Sequence, residues 1–219
     1  MTDNFDRAEM ACDRAGELED ANDLEGALQA MSEAIALAPN ELVYWLLRGR
    51  LYNLQEKWRA AIRDFDKVLA AKPNNPNARY SRGLARYGLD DMDGALEDFQ
   101  QCIAREPDAA DAWTQVGHIY QYRRDWEAAI HAYERAAELD PDRRTRLEQL
   151  ITEAQEQLWL REHGQLQPEP PATRRYSPPP SQEPEAVQRR DELQELFQRR
   201  REAAVPYQRA RGEREDPEG

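Results

Sequence analysis

Two cysteines, three histidines and three lysines are all this chain has of those residue types, and each scarcity excludes something. Cys12 and Cys102 lie far apart and outside any paired metal spacing. They are expected as reduced thiols, buried as small hydrophobes. His118, His131 and His163 form no His–Glu–x–x–His pattern, and neither a glycine-rich phosphate loop nor a Gly–x–Ser–x–Gly elbow occurs. The carboxylate pairs Asp64/Asp66 and Asp90/Asp91 are expected on turns or solvated helix faces. No residue set therefore suggests an enzyme, a metal site or a cofactor. No apolar run approaches the ~20 residues of a membrane span. The opening MTDNFDRAEMACDRAGELED has neither the basic start nor the apolar core of a secretory signal. The expectation is a soluble, cytoplasmic protein without membrane insertion.

Positive charge is also short. The net charge is −13, with 27 acidic against 16 basic residues in 1–141 and 16 against 14 in 142–219. An acidic body repels a phosphate backbone, so nucleic acid is not expected as a partner. Such acidity is most simply read as a source of solubility.

What is present is a period. WRAAIRDFDKVLAAKP (58–73), MDGALEDFQQCIAREP (92–107) and WEAAIHAYERAAELDP (126–141) follow one another at steps of thirty-four. Prolines fall at 39, 73, 107 and 141; twelve residues before each stands Ala27, Ala61, Ala95 or Ala129. Eight before each stands Met31, Phe65, Phe99 or Tyr133, and five before each a small residue, Ala34, Val68, Cys102 or Ala136. Gly49, Gly83 and Gly117 lie ten residues after the first three prolines. Each unit holds two stretches with apolar residues at spacings of three and four, as in LVYWLLRGRLYNLQ followed by WRAAIRDFDKVLAAK. Small residues at the glycine and alanine positions let two helices approach, the aromatic fills the space beside them, and proline ends the pair.

This pattern resembles the tetratricopeptide repeat, with its Trp–x2–Leu–Gly–x2–Tyr, Ala–x3–Phe and Pro at a period of thirty-four. The matches are Trp45, Gly49, Tyr52, Ala61, Phe65 and Pro73, and again Trp113, Gly117, Tyr120, Ala129, Tyr133 and Pro141. The resemblance implies an all-α fold, a right-handed α-solenoid of antiparallel helix pairs. Repeats are expected at about 8–41, 42–75, 76–109 and 110–143 within a domain of 1–163. The first departs from the pattern, with Ala11, Ala15 and Leu18 at the first-helix positions. The third carries Arg79, Arg82 and Arg86 there. Two readings of these arginines stand: stems covering apolar surface, or ion pairs with neighbours such as Asp90 and Asp91.

After Pro141, Leu147, Leu150, Ile151, Ala154 and Leu158 recur at helical spacing without a second helix following, which suggests a capping helix over about 142–162. Residues 164–184 are proline-rich and poor in apolar side chains, hence expected as a disordered linker. From 185 to 205, Val187, Leu193, Leu196 and Phe197 form a narrow apolar stripe among Arg189, Arg190, Arg199, Arg200 and Arg201. This charged amphipathic helix could fray, dock on the acidic repeats, or meet a partner or another copy. Residues 206–219 are expected as a disordered tail.

The family resemblance implies a peptide-binding groove lined by the first helix of each pair. By family position the inward residues are Val43, Leu46, Arg50 and Asn53, then Asn77, Tyr80, Leu84 and Tyr87, then Asp111, Thr114, His118, Gln121 and Tyr122, with Cys12, Gly16 and Glu19 in the first repeat. Amides offer donors and acceptors to a peptide backbone, and tyrosines offer broad contact with few rotors to freeze. Some of these tyrosines could equally be packing between repeats. Relatives that clamp the carboxylates of chaperone tails carry a cluster of Lys, Asn and Arg. The corresponding positions are Cys12, Gly16, Leu47, Asn77 and Ser81 in one register, and Leu46, Arg50, Ser81, Asp111 and Gln115 in the next. Neither supplies that positive cluster, so a chaperone-tail partner of that kind is not expected. The expected function is a non-catalytic scaffold binding a peptide segment of another protein. The alternative is a homo-oligomeric or self-inhibited assembly protein using the C-terminal helix.

Overall fold

A computed structural model describes residues 4–165 together with Gln194, Phe197 and Gln198. Described residues 4–165 fold into helices joined by short turns, and no strand occurs among the described residues. Two units are distinguished among the described residues: 4–71 with Gln194, Phe197 and Gln198, and 72–165. The expected linker beyond Gln165 and the expected tail over 206–219 lie outside the described residues, as does most of the 185–205 segment.

In the first unit, α1 (Asn4–Asp20), α2 (Leu24–Leu37), α3 (Leu42–Leu54) and α4 (Trp58–Ala71) pack each on the next. In the second, α5 (Pro76–Gly88), α6 (Met92–Arg105), α7 (Ala110–Tyr122), α8 (Trp126–Leu139) and α9 (Arg144–Glu162) do the same. The reason lies in the periodic small and aromatic residues. A Cβ placed on Gly83 would come within 2.7 Å of the Phe99 ring, and one on Gly117 within 2.4 Å of Tyr133. Only glycine allows helices to meet there, and Phe99 and Tyr133 are fully buried by that contact. A fully buried aromatic of this kind contributes roughly 1.5–3 kcal/mol by area alone.

The turns repeat as faithfully as the helices. Asn22, Glu56, Asp90 and Arg124, thirty-four apart, all take positive φ between 56° and 66°. The following aspartates Asp23, Asp91 and Asp125 cap α2, α6 and α8, accepting from the backbone N–H of Gly26, Gly94 and Ala128 at 2.9, 3.0 and 3.2 Å. At the equivalent position before α4 stands Lys57, which has no acceptor to offer. The prolines do more than end helices. Trp45 and Trp113 donate their indole N–H to the carbonyls of Pro39 and Pro107, each at 3.0 Å. Arg79, at the same repeat position, donates to the carbonyl of Pro73.

Of the two readings of the third-repeat arginines, the structure shows the ion-pair network, with its centre at neither Asp90 nor Asp91. That centre is Asp98 of α6, fully buried, which Arg82 and Arg86 bond and which Arg79 approaches at 3.7 Å. Arg86 adds the carbonyl of Gly94 at 3.1 Å and a distant pairing with Asp91 at 3.9 Å. Asp64 also departs from its expected solvated face. It is buried and held by Arg48 through Nε at 2.7 Å and Nη2 at 2.8 Å. That bond is the largest cause of an upward shift in the Arg48 pKa. A carboxylate next in sequence to the core aromatic and shut off from water is balanced here by the guanidinium beside it.

Helix α9 closes the second unit. Leu147 and Ala154 are buried, Leu150 and Ile151 pack against the same apolar cluster as Leu147, and Trp159 is exposed. A 3-10 turn over Pro141–Arg143 leads into it, with Asp140 accepting from the N–H groups of Asp142 and Arg143 at 3.1 and 3.2 Å. Arg143 pairs with both Asp111 and Asp140 at 2.5 Å, and Arg161 pairs with Glu127. Burial alone would push the Asp140 carboxyl up, but Arg143 and the two N–H donors together hold it below the usual carboxylate range.

Candidate peptide-binding face

The positions expected to face inward recur at steps of thirty-four along the first helix of each pair, so equivalent side chains can be compared between units. In the second unit they lie on α5 and α7. Asn77 and Tyr122 are exposed, and Tyr80, Leu84, Tyr87, Asp111, Thr114, His118 and Gln121 are half-buried. Tyr80 leans on Phe99 with ring centroids 5.6 Å apart and the planes tilted by 56°. Tyr80, Leu84 and Tyr87 all pack against the apolar cluster around Phe99 and Ile119. These tyrosines therefore contribute to packing between helices as well as to the surface.

Tyr133 supplies a polar feature that the position-by-position reading missed. Its ring fills the site beside Gly117, and its hydroxyl donates to Gln121 Oε1 at 2.6 Å and lies 2.9 Å from His118 Nδ1. A hydroxyl has one proton, so with that proton given to Gln121 the bond from His118 must be Nδ1–H donated to the Tyr133 oxygen. A neutral imidazole then carries its acceptor at Nε2. The signal was legible in the sequence, since tyrosine stands where the other complete repeats have phenylalanine. Thr114 turns its hydroxyl back to the Ala110 carbonyl at 3.0 Å, and Asp111 is engaged by Arg143.

The first unit presents the same positions differently. On α1, Cys12, Gly16 and Glu19 are all buried; on α3, Leu46 and Asn53 are buried, and Val43 and Arg50 are half-buried. Glu19 is 0% exposed and Asn53 4%. Their counterparts in the second unit, Tyr87 and Gln121, are half-buried.

Among the described residues no group of three or more His, Cys, Asp or Glu side chains could hold a metal ion, and no helix is long and apolar enough to cross a membrane.

Consecutive helix pairs whose turns repeat the same positive-φ residue, with a glycine–aromatic contact in the last three pairs, define an all-α helical-repeat protein of the solenoid class. Within that class the chain is a tetratricopeptide-repeat protein: models of the family match residues 49–90 (TPR repeat), 77–109 and 110–143 (both Tetratricopeptide repeat). Solved structures share the fold. A crystal structure of MamA protein superposes with a TM-score of 0.63 at 21% identity, over 90% of this chain and 94% of that one. MamA 41-end from Desulfovibrio magneticus RS-1 gives 0.65 at 20% identity, over 88% and 96%. The Arabidopsis OM64 TPR domain gives 0.52 at 21%, over 54% and 98%. A comparison with curated proteins finds no match. Tetratricopeptide repeats are protein-interaction modules and generally non-catalytic, and this chain is accordingly a protein-interaction scaffold.

Proposed function

We propose that the chain binds a peptide segment of a partner protein on the inward positions of its first helices and performs no chemistry of its own. The observation that carries this reading is the second unit's face. There exposed Asn77 and Tyr122 flank the half-buried Tyr80, Leu84, Tyr87, His118 and Gln121. Apolar contact area and hydrogen-bonding groups alternate there, as recognition of a peptide backbone with spaced side chains requires. Tyr133 holds His118 and Gln121 in place before any ligand arrives, which lowers the ordering cost of binding. Chaperone tails that need a clamp of clustered Lys, Asn and Arg are not its ligands, because Cys12, Gly16, Leu47 and Ser81 occupy the corresponding positions.

Asn77 and Tyr122 are the residues to replace, since neither is buried, whereas Tyr80 also supports Phe99. Affinity capture from a native lysate with the full chain should recover a partner that Asn77→Ala/Tyr122→Ala loses about tenfold or more, the usual effect of removing a contact hot spot. The helical circular dichroism spectrum should be unchanged. Undiminished recovery by the folded variant would move the binding face elsewhere.

A further inference from the structure

Phe197 lies far beyond the repeats in sequence, yet it is 4% exposed and belongs to the apolar cluster of the first unit. That cluster includes Ala8, Cys12 and Ala15 of α1 and Leu47 and Leu51 of α3. Three residues earlier, Gln194 donates from Nε2 to Asp20 Oδ1 at 3.1 Å, at the end of α1. Both residues are helical, and a spacing of three places them on one side of a helix. A large aromatic so thoroughly removed from water acts as an anchor, the kind of side chain that dominates the energetics of a docked helix.

The burial pattern of the repeats says which face it covers. Position by position, Cys12 and Leu46 are buried where Tyr80 and Thr114 are half-buried. Glu19 and Asn53 are buried where Tyr87 and Gln121 are half-buried. Phe197 packs into the cluster of the first unit, so it is one of the groups that removes this face from water. Charge agrees: α1 carries Asp6, Glu9, Asp13, Glu17, Glu19 and Asp20 against Arg7 and Arg14, while Arg189, Arg190, Arg199, Arg200 and Arg201 flank Phe197 in sequence.

We infer that the first-helix face of the first unit is a second binding surface, specific for an arginine-flanked segment with an aromatic anchor, and that the chain's own segment around Gln194 and Phe197 is its resident occupant. This extends the proposed function, resting on its premise that first-helix faces bind peptide segments. It means that an outside ligand for this face must displace the resident segment.

The two cysteines provide the test. Cys12 belongs to the covered cluster, and Cys102 belongs to the second unit and serves as the control. In the full chain, reaction of Cys12 with a disulfide reagent should be slow. Phe197→Ala should speed it about tenfold or more by raising the population of the open face, with Cys102 unchanged. A synthetic peptide of residues 185–205 added to that variant should restore protection of Cys12, and the same peptide carrying Phe197→Ala should not. An unchanged Cys12 rate, an equal acceleration of both thiols, or equal protection by the two peptides would overturn the inference. No partner enters this measurement, so its outcome is independent of whether Asn77 and Tyr122 prove to bind one.

Discussion

The guanidinium of Arg82 holds the carboxylate of Asp98 with two hydrogen bonds, 2.9 Å from Nε and 2.7 Å from Nη2. The same pair recurs thirty-four residues earlier as Arg48 and Asp64. Each links the two helices of one repeat beside the glycine–phenylalanine contact, and each carboxylate is almost wholly removed from solvent. A bidentate, charge-assisted contact of this sort fixes the rotation of one helix against the other as well as attracting it.

Removing one partner should therefore be costly. In Asp98→Ala, Arg79, Arg82 and Arg86 face one another across a void without their counter-charge. The expected loss is about 3–5 kcal/mol in urea unfolding, the range for breaking a buried pair from one side. The double replacement Arg82→Met/Asp98→Leu should recover only part of it, because it removes the stranded Arg82 charge but leaves Arg79 and Arg86 beside an apolar side chain. A loss below about 1 kcal/mol in the single variant would show that water reaches the site.

Lys57 stands where the other helix pairs place a capping aspartate. Lys57→Asp should stabilise α4 by about 1 kcal/mol, the usual worth of a cap. The ion pair given up, from Lys57 Nζ to Glu25 Oε1 at 2.8 Å, is solvent-exposed. Pairs of that kind contribute only about 0–1 kcal/mol. An increase in the urea midpoint with an unchanged slope is the expected result, and a decrease would mean that the Lys57–Glu25 pair outweighs the cap.

Cys102 gives the chain an alkaline dependence. Burial pushes its thiol up to about 11; nearby Arg79 opposes this, and Asp98 and Glu106 reinforce it. In the unfolded chain the thiol ionises near its ordinary value of about 8.5. Stability from the buried thiol is thus fully present below that value and is lost as pH rises toward 11. The melting temperature should fall more steeply from pH 9 to 11 in the native chain than in Cys102→Ala. Parallel curves would refute the assignment. The same shift keeps Cys102 protonated and slow at neutral pH, which suits its use as a control thiol.

Much of this was legible in the sequence because its causes are local. Helical spacing, the glycine, the aromatic and the proline all act over one hairpin, and repetition at thirty-four residues makes each unit corroborate the next. The arginines of the third repeat show where that legibility stopped. Asp90 and Asp91 are nearer in the chain, but they sit on the turn, and the helix crossing brings Asp98 to Arg82 instead. Asp64 looked like one of two solvated carboxylates because Asp66 is only two residues away. The helix period turns Asp64 inward and leaves Asp66 exposed. The inward set of first-helix residues was named by family position alone. The structure adds that Asp111 is engaged by Arg143, and that the Tyr133 hydroxyl organises His118 and Gln121.

The sequence by itself determined the helical hairpin, its period and the small–aromatic contact that builds it, since these follow from residue size, backbone freedom and hydrophobic spacing within one repeat. Only the tertiary structure decided which carboxylate each arginine takes and that Phe197 is buried against helices near the other end of the chain. Those outcomes depend on distances between segments far apart in sequence, and such distances come into being only when the helices pack.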